Sequence, residues 1–155
     1  MNFPPYPELD SLADTTVASA KPHGTWTFPS TNTAIVMIDW QRDFLEKVGF
    51  GASLGNDVDK LKAAVGPAKA ALRAARAAGL AVFHTVEAHS PDLHDLSAAK
   101  KLNCPAIGTT QEPDLGRILV AGEPGNDIVS ELAPLDTERV IYNPGKGAFY
   151  NTTLA

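Results

Sequence analysis

An α/β fold built on a parallel sheet is what this sequence predicts, and three observations point to it. Two runs of β-branched and long apolar residues, "AIVMI" at 34–38 and "LAVFHTVE" at 80–87, flank an Ala-rich stretch with helical period. A third apolar run, "RVIYN" at 139–143, follows a segment that reads as a short helix. Strand, helix, strand, loop, helix, strand is the order produced by right-handed crossovers, which leave their strands parallel. In such sheets ligands sit outside the carboxyl ends of the strands. Asp39, Glu87 and Asn143 each fall at such an end.

Taken in order, residues 1–33 are rich in Pro, Ser and Thr and show no period, so they read as an irregular leader over the surface. Trp26 and Phe28, either side of Thr27, are its expected anchors, and residues 34–155 form the folded domain. The 34–38 run has no polar alternation, as in a strand covered on both faces. From Asp57 to Ala78, Leu61, Val65, Ala68 and Leu72 keep a helical period, with Asp57 as N-cap and Gly79 as the stop. Gly66-Pro67 is expected to kink this helix. The polar stretch 88–117 is too long for a bare loop, and one short helix is placed at 93–101. "ILVAG" at 118–122 reads as a short edge strand, and "NDIVSEL" at 126–132 as a short helix capped by Asn126.

Composition excludes some functions. The chain has 155 residues and a net charge of -5, which argues against nucleic acid or an anionic membrane as partner, since both need a basic face. A single cysteine cannot form an internal disulfide and fits a reducing compartment. "MNFPPYPELD" lacks the apolar core of a signal peptide, and no apolar run is long enough to span a bilayer. A cytoplasmic location is expected.

Several residues carry candidate chemistry. Asp39 suits a general base, a metal ligand or a helix cap; Gln41 stands where metal-dependent phosphoryl transfer would want a second Asp. His84, Glu87, His89, Asp92, His94 and Asp95 crowd together as either a metal site or a polar loop over a cleft, but their spacing matches no standard zinc pattern. "NPGKGAFYNT" at 143–152 is no phosphate loop, because Val140 occupies the required first Gly and Gly147 follows the lysine. Its backbone N–H groups and Lys146 suit a carbonyl or carboxylate, or the segment is a tight turn. Cys104, the sole thiol, precedes a proline without a helix N-terminus or adjacent cation to hold a thiolate.

Together, "TAIVMIDWQRDF", "AGLAVFHTVEAHSPDL", "ILVAGEPGNDIVSEL" and "VIYNPGKGAFYNTTL" resemble the isochorismatase-like cysteine hydrolases over about residues 31–155. The Pro-Gly-Lys-Gly run and "EAHSPDL" look most like the biuret and triuret hydrolase branch. The resemblance implies a doubly wound, three-layer α/β/α fold with a mostly parallel sheet, here its front portion. It also implies hydrolysis of a small amide or ureide with release of ammonia, with no cofactor and no metal. An Asp deprotonates a cysteine, the thiolate attacks the carbonyl, and a lysine stabilises the charge.

By that resemblance Asp39 is the catalytic aspartate, Lys146 a substrate-contacting lysine, and Phe44 and Phe149 pocket walls; Glu87 joins the substrate-binding set from its strand end. Two departures stand out. Asn143 occupies the place of the family's catalytic lysine, and the segment that carries the family's cysteine is expected beyond Ala155. The expectation is an incomplete or inactivated amidohydrolase, its exposed sheet edge covered by a complementary C-terminal segment or another subunit. The alternatives are a non-catalytic binding or assembly protein on the same fold, and a metal-dependent hydrolase using the 87–95 cluster.

Overall fold

The computed structural model describes residues 16–18 and 27–154. Within the expected leader, β1 (Thr16–Ala18) pairs antiparallel with β2 (Thr27–Pro29). Trp26 and the Phe28 side chain, the expected anchors, lie outside what is described. The central sheet contains β3 (Ala34–Ile38), β4 (Ala81–Glu87) and a third strand at Arg139–Asn143, in that spatial order and all parallel. All three apolar runs are therefore strands, at the positions the sequence predicts. Between β4 and the third strand a small antiparallel pair intervenes, β5 (Thr110–Glu112) with β6 (Gly116–Arg117), so the third strand is β7.

Crossover helices cover one face. α1 (Arg42–Leu45) and α2 (Phe50–Ser53) are single turns, followed by α3 (Val58–Ala63) and α4 (Val65–Ala77). Asp57 does cap α3, accepting from the Lys60 N–H at 3.3 Å, and Gly79 stops α4 at φ 68°. The expected kink at Gly66-Pro67 is instead a break at Ala64. Pro67 then falls in the first turn of α4, where a missing N–H costs nothing. Leu72 of α4 is buried with Met37, Val82, Leu45, Val129 and Leu132 as one core cluster.

The opposite face of β3 departs from expectation. Val36 is 45% and Ile38 64% exposed, so a strand apolar enough for burial on both sides is covered by the described residues on one. That covered face is the one that carries Met37, packed against Leu72 of α4 and Leu45 of α1.

Three shorter elements also differ. The helix expected at 93–101 begins later, as α5 (Ala98–Asn103), because Ser97 supplies the N-cap oxygen to the Lys100 N–H at 3.2 Å. Residues 118–120 are not an edge strand. Ile118, Leu119 and Val120 are almost wholly buried, two of them with Phe50 and Ile107, and only a single bridge joins Val120 to His89. The helix expected at 126–132 is two 3-10 turns, Pro124–Asn126 and Ser130–Leu132. Asn126 caps neither, being the last residue of the first turn, and its side-chain Nδ2 donates to the Glu87 carbonyl at 2.9 Å.

A buried charge cluster ties α4 to the sheet. Glu138 accepts from Arg76 Nε and Nη2 at 2.7 and 2.8 Å and from the Leu135 N–H at 3.0 Å, and lies 3.0 Å from His84 Nε2. Burial alone would raise its pKa, but these partners override it and hold it at about 2 against an ordinary 4.5. A carboxyl depressed in this way stabilises the fold above its unfolded pKa and loses that contribution as pH falls through the folded one. Glu138→Gln is expected to cost roughly 2–3 kcal/mol at pH 7. The difference from wild type should shrink as pH falls from 5 towards 2, read by thermal melts across that range. A constant difference down to pH 2 would mean that packing rather than charge is what the glutamate supplies.

Candidate active site

The site begins where β3 stops. The Asp39 N–H still donates to the Thr85 carbonyl at 3.1 Å, as the next rung of the ladder. The backbone then turns through φ 55°, a left-handed conformation that Asp tolerates better than β-branched residues do. Its carboxylate accepts a 2.6 Å bond from Thr85 Oγ1. The N-cap of α1 is Gln41, without a side-chain capping bond, so Asp39 is not a helix cap.

Gln41 is fully buried and fixes the neighbouring strand end. Its Nε2 donates to the Glu87 carbonyl at 2.9 Å, and its Oε1 accepts from the Glu87 N–H at 2.8 Å. Residues on either side pair with 127–129, through Arg42 N–H to the Asp127 carbonyl and Val129 N–H to the Trp40 carbonyl, both at 2.9 Å.

β4 and β7 place Glu87 directly beside Asn143. The Glu87 carboxylate takes a 2.6 Å ion pair from Lys100 of α5, whose Nζ also donates to the Pro144 carbonyl at 2.8 Å. Asn143 is buried; its Nδ2 donates to the Gly145 carbonyl at 2.6 Å and its Oδ1 has no partner among the described residues. Asp39 with Thr85, and Glu87 with Asn143 and Lys100, are thus brought to the carboxyl ends of adjacent strands.

Other expected residues stand apart. Lys146 and Phe149 lie on the turns after β7, Lys146 exposed and Phe149 70% exposed. Phe44 packs edge-to-face on Phe50 at 5.8 Å and touches both core clusters. Cys104 sits half-buried at the end of α5 against the Phe50–Ile107 cluster. An open cleft of about 590 Å³, walled by α1, α3, α4 and residues 127–131, holds none of the candidate site residues.

The 87–95 cluster is internally paired. His89 Nδ1 faces Asp95 at 3.1 Å, and exposed His94 pairs with Asp92 at 2.7 Å. Burial, reinforced by Lys100, lowers the His89 pKa against the pull of Asp95. The His94 pair raises the imidazole and lowers Asp92 to about 2. Among the described residues no three His, Cys, Asp or Glu side chains converge as metal ligands do. His84 points instead into the Glu138 cluster.

Sequence reasoning missed Thr85, Lys100 and the structural use of Gln41. It also missed Asp43, whose buried Oδ2 accepts from the Leu119 N–H at 2.8 Å while Oδ1 has no partner. A side chain at Gly125 would place Cβ 2.5 Å from that Oδ1, so glycine is required there. Burial pushes Asp43 up to about 6, against the Leu119 bond and the Arg42 charge. A carboxyl that holds its proton more tightly when folded stabilises fully below its ordinary 3.8 and loses that contribution as pH rises through 6. Asp43→Asn keeps the acceptor for Leu119 without the charge. Its melting temperature relative to wild type is expected to climb between pH 4 and 7; a flat difference would show that Asp43 is ionised throughout.

A model of the isochorismatase domain matches residues 33–155. The chain is 30% identical over 139 residues to the ureidoacrylate amidohydrolase RutB of Yersinia enterocolitica, covering 82% of this chain and 57% of that protein. It is 30% identical over 150 residues to the RutB of Acinetobacter baylyi, covering 89% and 58%. An isochorismatase family protein from Desulfovibrio vulgaris superposes with a TM-score of 0.57 at 30% identity, over 77% of this chain and 56% of that one. The chain therefore spans a little over half the length of the curated relatives it matches.

Proposed function

The chain belongs to the isochorismatase family, and on that premise we propose that it is the aspartate-bearing portion of an amidohydrolase acting on a small ureide or amide. The observation that carries this reading is the 2.6 Å bond from Thr85 to Asp39, which fixes a strand-end carboxylate that caps no helix. The names of the RutB relatives supply the substrate class: a ureido compound whose C–N bond is hydrolysed. Biuret and triuret are the members suggested by the Pro-Gly-Lys-Gly turn, with Lys146 and Phe149 as the groups that close on the substrate.

In the proposed reaction Asp39 takes the proton of a cysteine thiol, and sulfur adds to the substrate carbonyl. The tetrahedral intermediate expels ammonia, which leaves with that proton, and water then cleaves the acyl-enzyme, a thiocarbamate from a ureide or a thioester from a simple amide, to the carbamic or carboxylic acid and free thiol. Cys104 is a poor source of this thiol, since it packs against Phe50 and Ile107 on another element. Asn143 brings no fixed charge, and that favours a second reading, a non-catalytic binding protein on the same fold. The exposed Val36 and Ile38 face is proposed to be where a complementary cysteine-bearing segment seats.

By itself the 155-residue chain is expected to release ammonia from biuret, triuret, ureidoacrylate or nicotinamide no faster than buffer. Release that survives Cys104→Ala would defeat the cysteine mechanism. With a complementary cysteine-bearing segment present, Asn143→Lys should raise turnover by about 10²–10³, the usual worth of one preorganised charge. Asp39→Asn, which keeps the left-handed turn, should abolish it. If Asn143→Lys changes nothing and Asp39→Asn stays active in steady-state ammonia assays, Asp39 is not the base.

The open β3 face gives a separate expectation. Replacing Val36 and Ile38 by lysine should abolish association with that segment in sedimentation velocity while leaving the circular dichroism of the chain unchanged. Undiminished association would place the contact elsewhere.

A further inference from the structure

Leu119 is held where leucine seldom goes. Its backbone takes φ 53°, in the left-handed region that residues other than glycine mostly avoid, and the residue is fully buried. Two hydrogen bonds, one on each side of it, keep it there. Its N–H donates to Asp43 Oδ2 at 2.8 Å, and its carbonyl accepts from the His89 N–H at 2.8 Å. The His89 carbonyl in turn accepts from the Ala121 N–H at 2.9 Å. His89 lies two residues beyond Glu87, at the strand end that carries the candidate site. A continuous run of bonds therefore joins a carboxyl of α1 to the end of β4.

The acid at the head of this run is only half satisfied. Asp43 is fully buried, and while Oδ2 takes the Leu119 N–H, Oδ1 has no partner among the described residues. Gly125 closes over Oδ1, since a Cβ there would stand 2.5 Å from that oxygen. A ligand has no room at such an atom, whereas a proton needs no cavity. We propose that Asp43 is a proton-operated positioning residue that pins Leu119, and through it the backbone beyond β4, when ionised and releases it when protonated.

The ionised form accepts a charge-assisted bond from the Leu119 N–H, roughly twice as strong as the bond a neutral carboxyl accepts. Protonation removes that support from a strained residue while it removes the cost of a buried charge. Burial, the main influence on Asp43, sets the change near pH 6; Arg42 favours the ionised form and Glu46 the neutral one. Leu119 and Gly125, which flank the carboxyl, bring no charge. At the far end of the run the titratable group is His89, whose charged neighbours are Asp95, Lys100 and Glu87. The strand end is thus held above pH 6 and loosened below it, whichever amide the site accepts.

The test is a pH titration of the ¹⁵N-labelled 155-residue protein by NMR, following the backbone amides of Leu119, His89 and Ala121 on either side of pH 6. In wild type the three resonances are expected to move together with a midpoint near 6, the Leu119 amide proton shifting downfield as its acceptor ionises. The three-bond coupling between the Leu119 amide and α protons reports φ, and it should rise below the midpoint as the residue relaxes to extended backbone. The His89 ring also titrates, so its imidazole nitrogens are followed in parallel to separate its own effect on the His89 amide. Asp43→Asn keeps an oxygen for the Leu119 N–H without the charge, and should hold Leu119 at its low-pH position throughout. The wild-type titration needs no substitution, so a variant that fails to fold does not blunt the test. A Leu119 amide that stays put, or that titrates equally in Asp43→Asn, overturns the proposal. Movement of Leu119 with a constant coupling and a stationary Ala121 overturns it as well, because the proton then fails to reach the strand end.

Discussion

The side chain of Gln41 is the constraint on which the carboxyl end of the sheet depends. β3 ends at Ile38, yet the chain must turn at Asp39 and still stay registered against β4. Gln41 achieves this by imitating a strand: one amide edge exchanges two hydrogen bonds with the N–H and carbonyl of Glu87. Asn126 adds a second donor to the same carbonyl. Both amides are almost wholly excluded from water; losing Gln41 would leave the Glu87 N–H without its partner, while the Glu87 carbonyl would keep Asn126. The end of β4 that these two amides hold carries Glu87, which the β4–β7 register sets beside Asn143.

Much of this was legible in the sequence. Three apolar runs gave three strands at the right places, and the rule that parallel sheets act at their carboxyl ends picked out Asp39, Glu87 and Asn143. What escaped was what depends on distant partners. Lys100 lies in a polar stretch and looks like any solvated helix lysine until α5 carries it to Glu87 and Pro144. Gln41 read as a missing second aspartate, when its length and two-sided amide are what the neighbouring strand requires. Asn126 has the right chemistry for a cap, but it closes a 3-10 turn and its Nδ2 donates to the distant Glu87 carbonyl. Burial of residues 118–120 was hidden because a short apolar run has the same composition at an edge and in a core.

The two faces of the sheet use charge in opposite ways. On the helix-covered face, Glu138 is saturated by Arg76, His84 and the Leu135 N–H, and its depressed pKa reflects that saturation, although the buried His84 Nδ1 has no partner among the described residues. At the strand ends Lys100 has one N–H beyond its bonds to Glu87 and Pro144, and Asn143 Oδ1 and His89 Nε2 have no partner among the described residues. Structural networks tend towards full satisfaction, whereas a site that must accept a polar guest keeps groups unpaired for it. Asp43 stands between these cases, since its unpaired oxygen lies in the core rather than at a strand end, and its raised pKa marks the cost.

Asn143 decides how these parts relate to catalysis. Were residue 143 a lysine, its ammonium would add to the neutral Lys100–Glu87 pair the positive charge that the proposed reaction lacks. With asparagine there, Lys100 reaches the Pro144 carbonyl just after β7, and its pair with Glu87 is locally neutral. Such a site recognises a neutral, hydrogen-bonding group better than it stabilises a developing negative charge, because the oxyanion would compete with Glu87 for the same ammonium. In the amidohydrolase reaction proposed above, asparagine at position 143 supplies hydrogen bonds but no charge, so residue 143 is the position at which holding an amide and turning it over would part.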